Sequence, residues 1–355
     1  MNRILPSMVV LATNINIIHT IYTTITGRVN ASFSKCCRSS FLEGYDIMKL
    51  LKILALISML PIAYAADNQC VTPQLMVTCS NKLNQVYLEL NNYKYSAESL
   101  PHHLRYLDDY KIIASSQFNE SQFVNAIHNK PKVIDVDLRA EYHGFNNGVP
   151  FSFIALPNDD INADKLQSVI IPQEEYILHK VLNSYKSIQF YRYNLKSIPD
   201  ENTPTICLNT SIQSESQLMA KYNQRYYRIT VTDHLAMSPE NIDQLLNLYD
   251  TNLKSNPQQW VYLHCQGGDG RTTTATIMLM VLKQKDAGKL EPLPALIDKV
   301  QKASSYQLMP NCSESDLSYR CQGKWQRYKT ITRFYQFVQQ RKGLQKYSDW
   351  QNSLK

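Results

Sequence analysis

Glycine is scarce in this chain, at 10 of 355 residues, which excludes collagen-like and low-complexity architectures. Charge is thin too. Asp, Glu, Lys and Arg make up 19%, somewhat under the usual quarter, so the surface leans on Asn, Gln, Ser and Thr. No C-x-x-C pair occurs, and His102-His103 is an isolated doublet, so no zinc or other metal centre is expected. The apolar stretch from Met8 to Ile25 is interrupted by Asn14, Asn16 and His19 and makes a poor bilayer span. There is no internal repeat. What is present is 44% hydrophobic residues, which excludes wholesale disorder and suffices for one large single-core domain.

Residues 48–65 combine a basic start (Met48-Lys-Leu-Leu-Lys52), a short apolar run (Ile53 to Ile62) and Ala63-Tyr64-Ala65. That order is a signal peptide, with cleavage expected after Ala65. It makes Met48 the expected initiator, residues 1–47 an extension, and 66–355 an exported domain, periplasmic or secreted. Residues 1–65 hold six Lys and Arg against two Asp and Glu, so their removal lowers the formal charge from +7 to +3. That is too mild for a broad nucleic-acid footprint, and no stable membrane insertion is expected. A local anion pocket remains compatible. An oxidising compartment allows disulfides. Cys70 with Cys79 and Cys312 with Cys321 are near enough in sequence to close short loops. If both form, Cys207 and Cys265 stay free.

Val133 to Leu138 alternates apolar and acidic residues, the pattern of a strand with one buried face. Tyr226 to Val231 and Trp260 to Leu263 read as further strands. Ser238-Pro239-Glu240 is a helix start, with Ser as cap and Pro at the first helical position. Thr272 to Leu282, Pro292 to Ala303 and Tyr328 to Arg341 read as helices. Alternation of strands and helices predicts an α/β layered core with a mostly parallel sheet. Residues from about 149 to 212 are Tyr-rich and proline-dotted, and are expected to form a small inserted β-rich subdomain.

Between the strand ending at Leu263 and the helix beginning at Thr272 stands His264-Cys265-Gln266-Gly267-Gly268-Asp269-Gly270-Arg271-Thr272. Three glycines let successive backbone N–H groups turn toward one centre, and the helix N-terminus adds positive potential there. A phosphate gains amide hydrogen bonds and a bidentate guanidinium from Arg271. The same field favours a thiolate nucleophile at Cys265. The plainer reading, a structural cysteine in a strand–turn–helix, leaves the three glycines and the flanking His and Thr unaccounted for. A phosphate ester also needs an acid for its leaving oxygen. Asp233, 32 residues before Cys265, ends a strand expected to neighbour that of the cysteine. Alone it reads equally well as a helix-capping residue.

These strings resemble those of the protein-tyrosine-phosphatase-like inositol polyphosphate phosphatases, the bacterial cysteine phytases. The likeness rests on His264-Cys265 to Arg271-Thr272, on Thr232-Asp233-His234 with Pro239 to Asp243, and on Asp137-Leu-Arg139-Ala-Glu141-Tyr-His143-Gly-Phe145. Phe334-Tyr335 with Trp350 is a weaker match. Together they cover most of residues 100–355. The resemblance implies a phosphatase core that works without metal or cofactor on a polyphosphorylated small molecule. It makes Cys265 the nucleophile, Arg271 the phosphate clamp, Asp233 the general acid and Thr272 an aid to hydrolysis of the phosphocysteine. His234, Arg105, Lys324 and Arg327 are implied phosphate contacts, with Gln266, Gly267, Gly268, Asp269 and Gly270 forming the cradle. The chain departs from the family at Gln266, where an acid is common, at Asp269, where an apolar or basic residue is common, and near Ser211, where no lysine stands. A carboxylate at 269 faces a polyanion with like charge. Competing readings are a phosphotyrosine-protein or phosphoinositide phosphatase and a catalytically dead phosphate-binding module. Sulfur transfer of the rhodanese kind would not need Asp233.

Overall fold

The computed structural model describes residues 86–354 apart from 131, 156–159, 192–204, 210 and 305, all within the unit Asn68–Lys355. The expected leader, Cys70 and Cys79 lie outside the described residues. In chain order come β1 (Val86–Leu90), β2 (Arg105–Leu107), β3 (Ile112–Ser116), α1 (Glu120–Ala126), β4 (Val133–Asp137), β5 (His143–Asn146) and β6 (Val149–Ala155). Next are α2 (Gln167–Tyr176), β7 (Ser187–Tyr191), β8 (Thr205–Asn209), β9 (Ile212–Gln213), α3 (Glu215–Lys221) and β10 (Arg225–Arg228). The chain continues through α4 (Pro239–Leu248), β11 (Trp260–Cys265), α5 (Gly270–Asp286), α6 (Leu293–Ser304), α7 (Tyr319–Gln340) and α8 (Tyr347–Asn352).

The central sheet has the order β10-β4-β11-β3-β2, parallel except for β2 at its edge. A second sheet has the order β8-β7-β1-β6-β5-β9 and is antiparallel except where β1 meets β7. Residues 149–212 supply four of its six strands. The other two, β1 and β5, come from outside that span, so the second sheet is not a simple insertion.

Strand period decides the two faces of the central sheet. Ile112, Ala114, Ile134, Val136, Val261 and Leu263 share the face that packs on α4, α5 and α7. The pairing places Asp135 beside Tyr262 and Tyr226, and Asp137 beside His264 and Arg228, on the opposite face. All five residues of β4 are buried. Its acidic side therefore faces no water, contrary to the expectation from alternation. Glu215 accounts for this. It follows the Ser214 cap at the start of α3 and brings a third carboxylate to His143 and His264.

The helix starts are written locally. The Ser238 hydroxyl accepts the Asn241 N–H, with Pro239 at the first helical position. The last long helix begins at Tyr319, nine residues before the expected Tyr328. Gly323 hides this start, being a poor helix former. Its reason is tertiary: a Cβ there would run into the His234 carbonyl. Cys312 and Cys321 are joined by a disulfide, while Cys265 is free and buried.

Candidate active site

The C-terminal ends of the parallel strands meet at one place, as expected for an open α/β sheet. The turn leaving β11 carries Cys265 to Gly270, the turn leaving β4 carries Arg139 and Glu141, and the chain beyond β10 carries Asp233. β10 does not touch β11: β4 lies between them, so Asp233 comes from one strand further than its sequence position implied.

The turn after Cys265 is shaped from outside. The Gln266 carbonyl accepts from Asn92 Nδ2 at 3.0 Å and from the Gln117 N–H at 3.1 Å. The Gly267 carbonyl accepts from His103 Nδ1 at 2.9 Å, and the Gly268 carbonyl from both terminal nitrogens of Arg105 at 3.1 Å. In a planar trans peptide the C=O and the following N–H point opposite ways. Three carbonyls pinned outward therefore aim the N–H groups of 267, 268 and 269 inward. The Gly268 N–H points at Cys265 Sγ at 3.3 Å. Gly268 has φ +78°, and a Cβ there would collide with the backbone of Ser115 and Ser116, so no other residue fits.

Arg271 enters from the first turn of α5. It is bidentate to Glu141 at 2.7 and 3.0 Å and pairs with Asp233 at 2.9 Å. Glu141 also pairs with Arg139 at 2.8 Å. Burial alone would raise the Glu141 carboxyl, but Arg271 and Arg139 hold it far below the carboxylate range. Burial likewise works against the Arg271 charge, and Glu141 and Asp233 hold it on.

A cleft of about 680 Å³ opens over this point. Cys265, Gln266, Gly267, Asp269, Gly270 and Arg271 form one wall, with Asp233 and His234 beside them. Lys324 and Arg327 line it from α7. Because the helix begins at Tyr319, Arg320 joins them one turn earlier on the same face. Arg327 is nearly buried, donates to the His234 carbonyl, and packs where a Cβ on Gly270 would stand. Lys324 Nζ bonds Asn311 Oδ1 at 2.6 Å.

Arg105 sits elsewhere, and Thr272 is not among the residues that line the cleft. Arg105 does not reach the pocket edge. It is buried behind the turn, spending its guanidinium on Gly268, Thr273 Oγ1 and the His103 carbonyl. Thr272 is fully buried in the first turn of α5, and its hydroxyl has no hydrogen-bond partner among the described residues. Conversely, His102 and His103, read as an isolated doublet, line the cleft, as do Lys94, Tyr95 and Tyr306. Glu141 was already inside the Asp137–Phe145 string, but no spacing rule says which arginine a carboxylate will meet.

The PTP-like phytase family model, described by inositol hexakisphosphate, matches residues 136–283, which hold the turn, Arg271, Glu141 and Asp233. This region resembles the PTP-like phytase family. The domain is 34% identical over 149 residues to effector protein hopD2 of Pseudomonas syringae pv. tomato, covering 42% of this chain and 31% of that one. Its fold matches a PTP-like myo-inositol phosphatase of Mitsuokella multacida solved with myo-inositol-(1,3,4,5)-tetrakisphosphate. The TM-score there is 0.65 at 22% identity, over 76% of this chain and 48% of the other. A PTP-like phytase of Bdellovibrio bacteriovorus matches with TM-score 0.60 at 21% identity, over 75% of this chain and 94% of that one. The chain thus spans about a third of the effector and about half of the Mitsuokella protein. Among the described residues no helix is long and apolar enough to cross a membrane.

Proposed function

We propose that the protein is an exported, metal-independent cysteine phosphatase that hydrolyses phosphate monoesters of inositol polyphosphates. The observation that carries this reading is the inward-facing turn, with the Gly268 N–H on Cys265 Sγ and with Arg271 and Asp233 in the same cleft. One ester phosphate occupies the turn, held by its amides and by Arg271. Cys265 Sγ attacks phosphorus and the ester P–O bond breaks. Asp233 gives its proton to the leaving oxygen. Water then attacks phosphorus, its proton passes to Asp233, and the S–P bond breaks to release orthophosphate and the thiolate. Thr272, at the start of α5, assists this second half.

The basic residues of α7 and His234 meet the further phosphates of a polyphosphorylated ring, which supports inositol polyphosphates over a lone phosphomonoester. The signal-peptide pattern at 48–65 and the Cys312–Cys321 disulfide support export to an oxidising compartment, periplasmic or outside the cell. Asp269 in the cradle favours a second reading, a less phosphorylated substrate such as a phosphotyrosine protein or a phosphoinositide. The deciding measurement is phosphate release from inositol hexakisphosphate with EDTA present. Wild type should turn over and Cys265→Ser should not, while still folding. Retention of a tenth of the wild-type rate by Cys265→Ser removes the cysteine mechanism. A higher kcat/KM on a phosphotyrosine peptide moves the protein to the second reading.

A further inference from the structure

Asp269 is an anomaly in a phosphate cradle. It precedes the first residue of α5, yet its side chain makes no capping bond to that helix. Its carboxylate lines the cleft and is 41% exposed. Its one ionic partner among the described residues is His103, whose Nδ1 lies 3.0 Å from Oδ1. The same Nδ1 lies 2.9 Å from the Gly267 carbonyl. Neither oxygen donates, so the ring carries its proton on Nδ1 and serves both at once. That leaves Nε2 without a partner among the described residues, on a ring that lines the cleft.

His103 is set in place deliberately. Its backbone is left-handed, with φ +56°, a conformation that an ordinary residue keeps only when its surroundings hold it there. The Arg105 guanidinium holds the His103 carbonyl, and the His102 carbonyl accepts the Ser116 N–H. The ring packs, tilted, against His102 at 3.9 Å between centroids, and His102 stacks on Tyr95 at 3.6 Å.

We propose that His103 is a specificity-determining residue: it neutralises Asp269, and its protonation state decides whether the cleft admits a polyanion. This rests on the reading of the cleft as a phosphate-ester site. With Nε2 protonated, the pair is neutral overall and offers an N–H toward the cleft. With Nε2 bare, the pair carries one negative charge and presents a lone pair. Phosphate oxygens are attracted by the first state and repelled by the second.

The groups around the ring agree. The hydrogen bond that His103 donates to Asp269 raises its titration above the ordinary histidine value. Burial opposes it, the Gly267 carbonyl helps, and Arg105 opposes. His102, under the influence of His103, Glu98 and Lys94, is pushed down by its burial, so only one ring of the doublet charges readily. The proton on His103 is lost as pH rises through its raised value. Polyphosphate affinity should therefore be high below that point and fall above it.

The test is calorimetric binding of inositol hexakisphosphate to Cys265→Ser, which cannot turn over, at one pH below and one above the His103 titration, a titration followed by the NMR shift of its ring. The substrate's own phosphates titrate in this window too, so the comparison is between variants. Adding Asp269→Asn should leave affinity about tenfold stronger at the higher pH than in the parent, the scale of one charge-assisted contact. Adding His103→Gln should weaken binding at the lower pH, and adding Asp269→Asn to that variant should restore it. An equal pH slope with and without Asp269, or no restoration, overturns the proposal. If inositol hexakisphosphate fails to bind but inorganic phosphate does, the substrate reading falls. The pair is then tested by the same variants with inorganic phosphate, where the same difference in slope is required.

Discussion

Arg271 is shared by two carboxylates, and they are unequal. Glu141 is 1% exposed and takes both arms of the guanidinium, whereas Asp233 is 21% exposed and meets one nitrogen. The more open acid is the one able to serve a leaving group. Asp233→Asn should lower kcat on inositol hexakisphosphate by about 10²–10⁴-fold, and less on an aryl phosphate, whose leaving oxygen needs little protonation. An equal loss on both substrates makes Asp233 structural. Glu141→Gln should instead cost stability, about 3–5 kcal/mol by urea unfolding, because Arg139 and Arg271 are left buried with their shared charge gone. An unchanged midpoint refutes that. At this scale the sequence was informative about chemistry and poor about direction. Cys265, Asp233 and Arg271 stand together as their spacing implied. Arg105 was expected at the pocket edge and His103 was given no role there, because a hydrogen bond to a backbone carbonyl leaves no mark on residue type.

The helices show the same limit one level up. The α4 cap and the α5 start at the glycine turn were legible, since both are local signals. The α7 start was not, because Gly323 answers to His234, a residue 89 positions away. Two effects compete at Gly323. Alanine would favour the helix by about 1 kcal/mol, but its Cβ has no room beside the His234 carbonyl. The neighbour is backbone and gives way poorly, so the collision wins. Gly323→Ala should lower the thermal midpoint and disturb the segment carrying Asp233, seen as a fall in kcat/KM. A raised midpoint would mean that α7 and the Asp233 segment are not packed in this way. Sheet order was likewise invisible: placing β4 between β10 and β11 is a decision of non-local pairing, which alternation of strand and helix leaves open.

On the scale of the whole molecule, a charged layer lies buried against the polar face of the central sheet. His143 Nε2 sits 3.2 Å from both Asp137 and Glu215, and Arg228 pairs with Asp137 and Glu174. Burial would push the His143 ring down, and Arg139 opposes its charge. Asp137 and Glu174 overcome both and hold it at about 9. A raised histidine stabilises fully below its ordinary 6.5, and that contribution is lost as pH rises through about 9. The urea midpoint should therefore fall between about pH 7 and about pH 10, with a flatter slope in His143→Gln. Equal slopes would place the titration elsewhere. The outward hold on the cradle has another consequence, one of inheritance. Asn92, His103, Arg105 and the Gln117 amide all lie before residue 136, where the family match begins, yet they fix the carbonyls of 266 to 268. A turn grafted from a relative arrives without its own outer donors. In a library randomised jointly at 92, 103, 105 and 266, surviving sequences should be correlated across that gap, and the turn and its distant holders should be exchangeable only as a set.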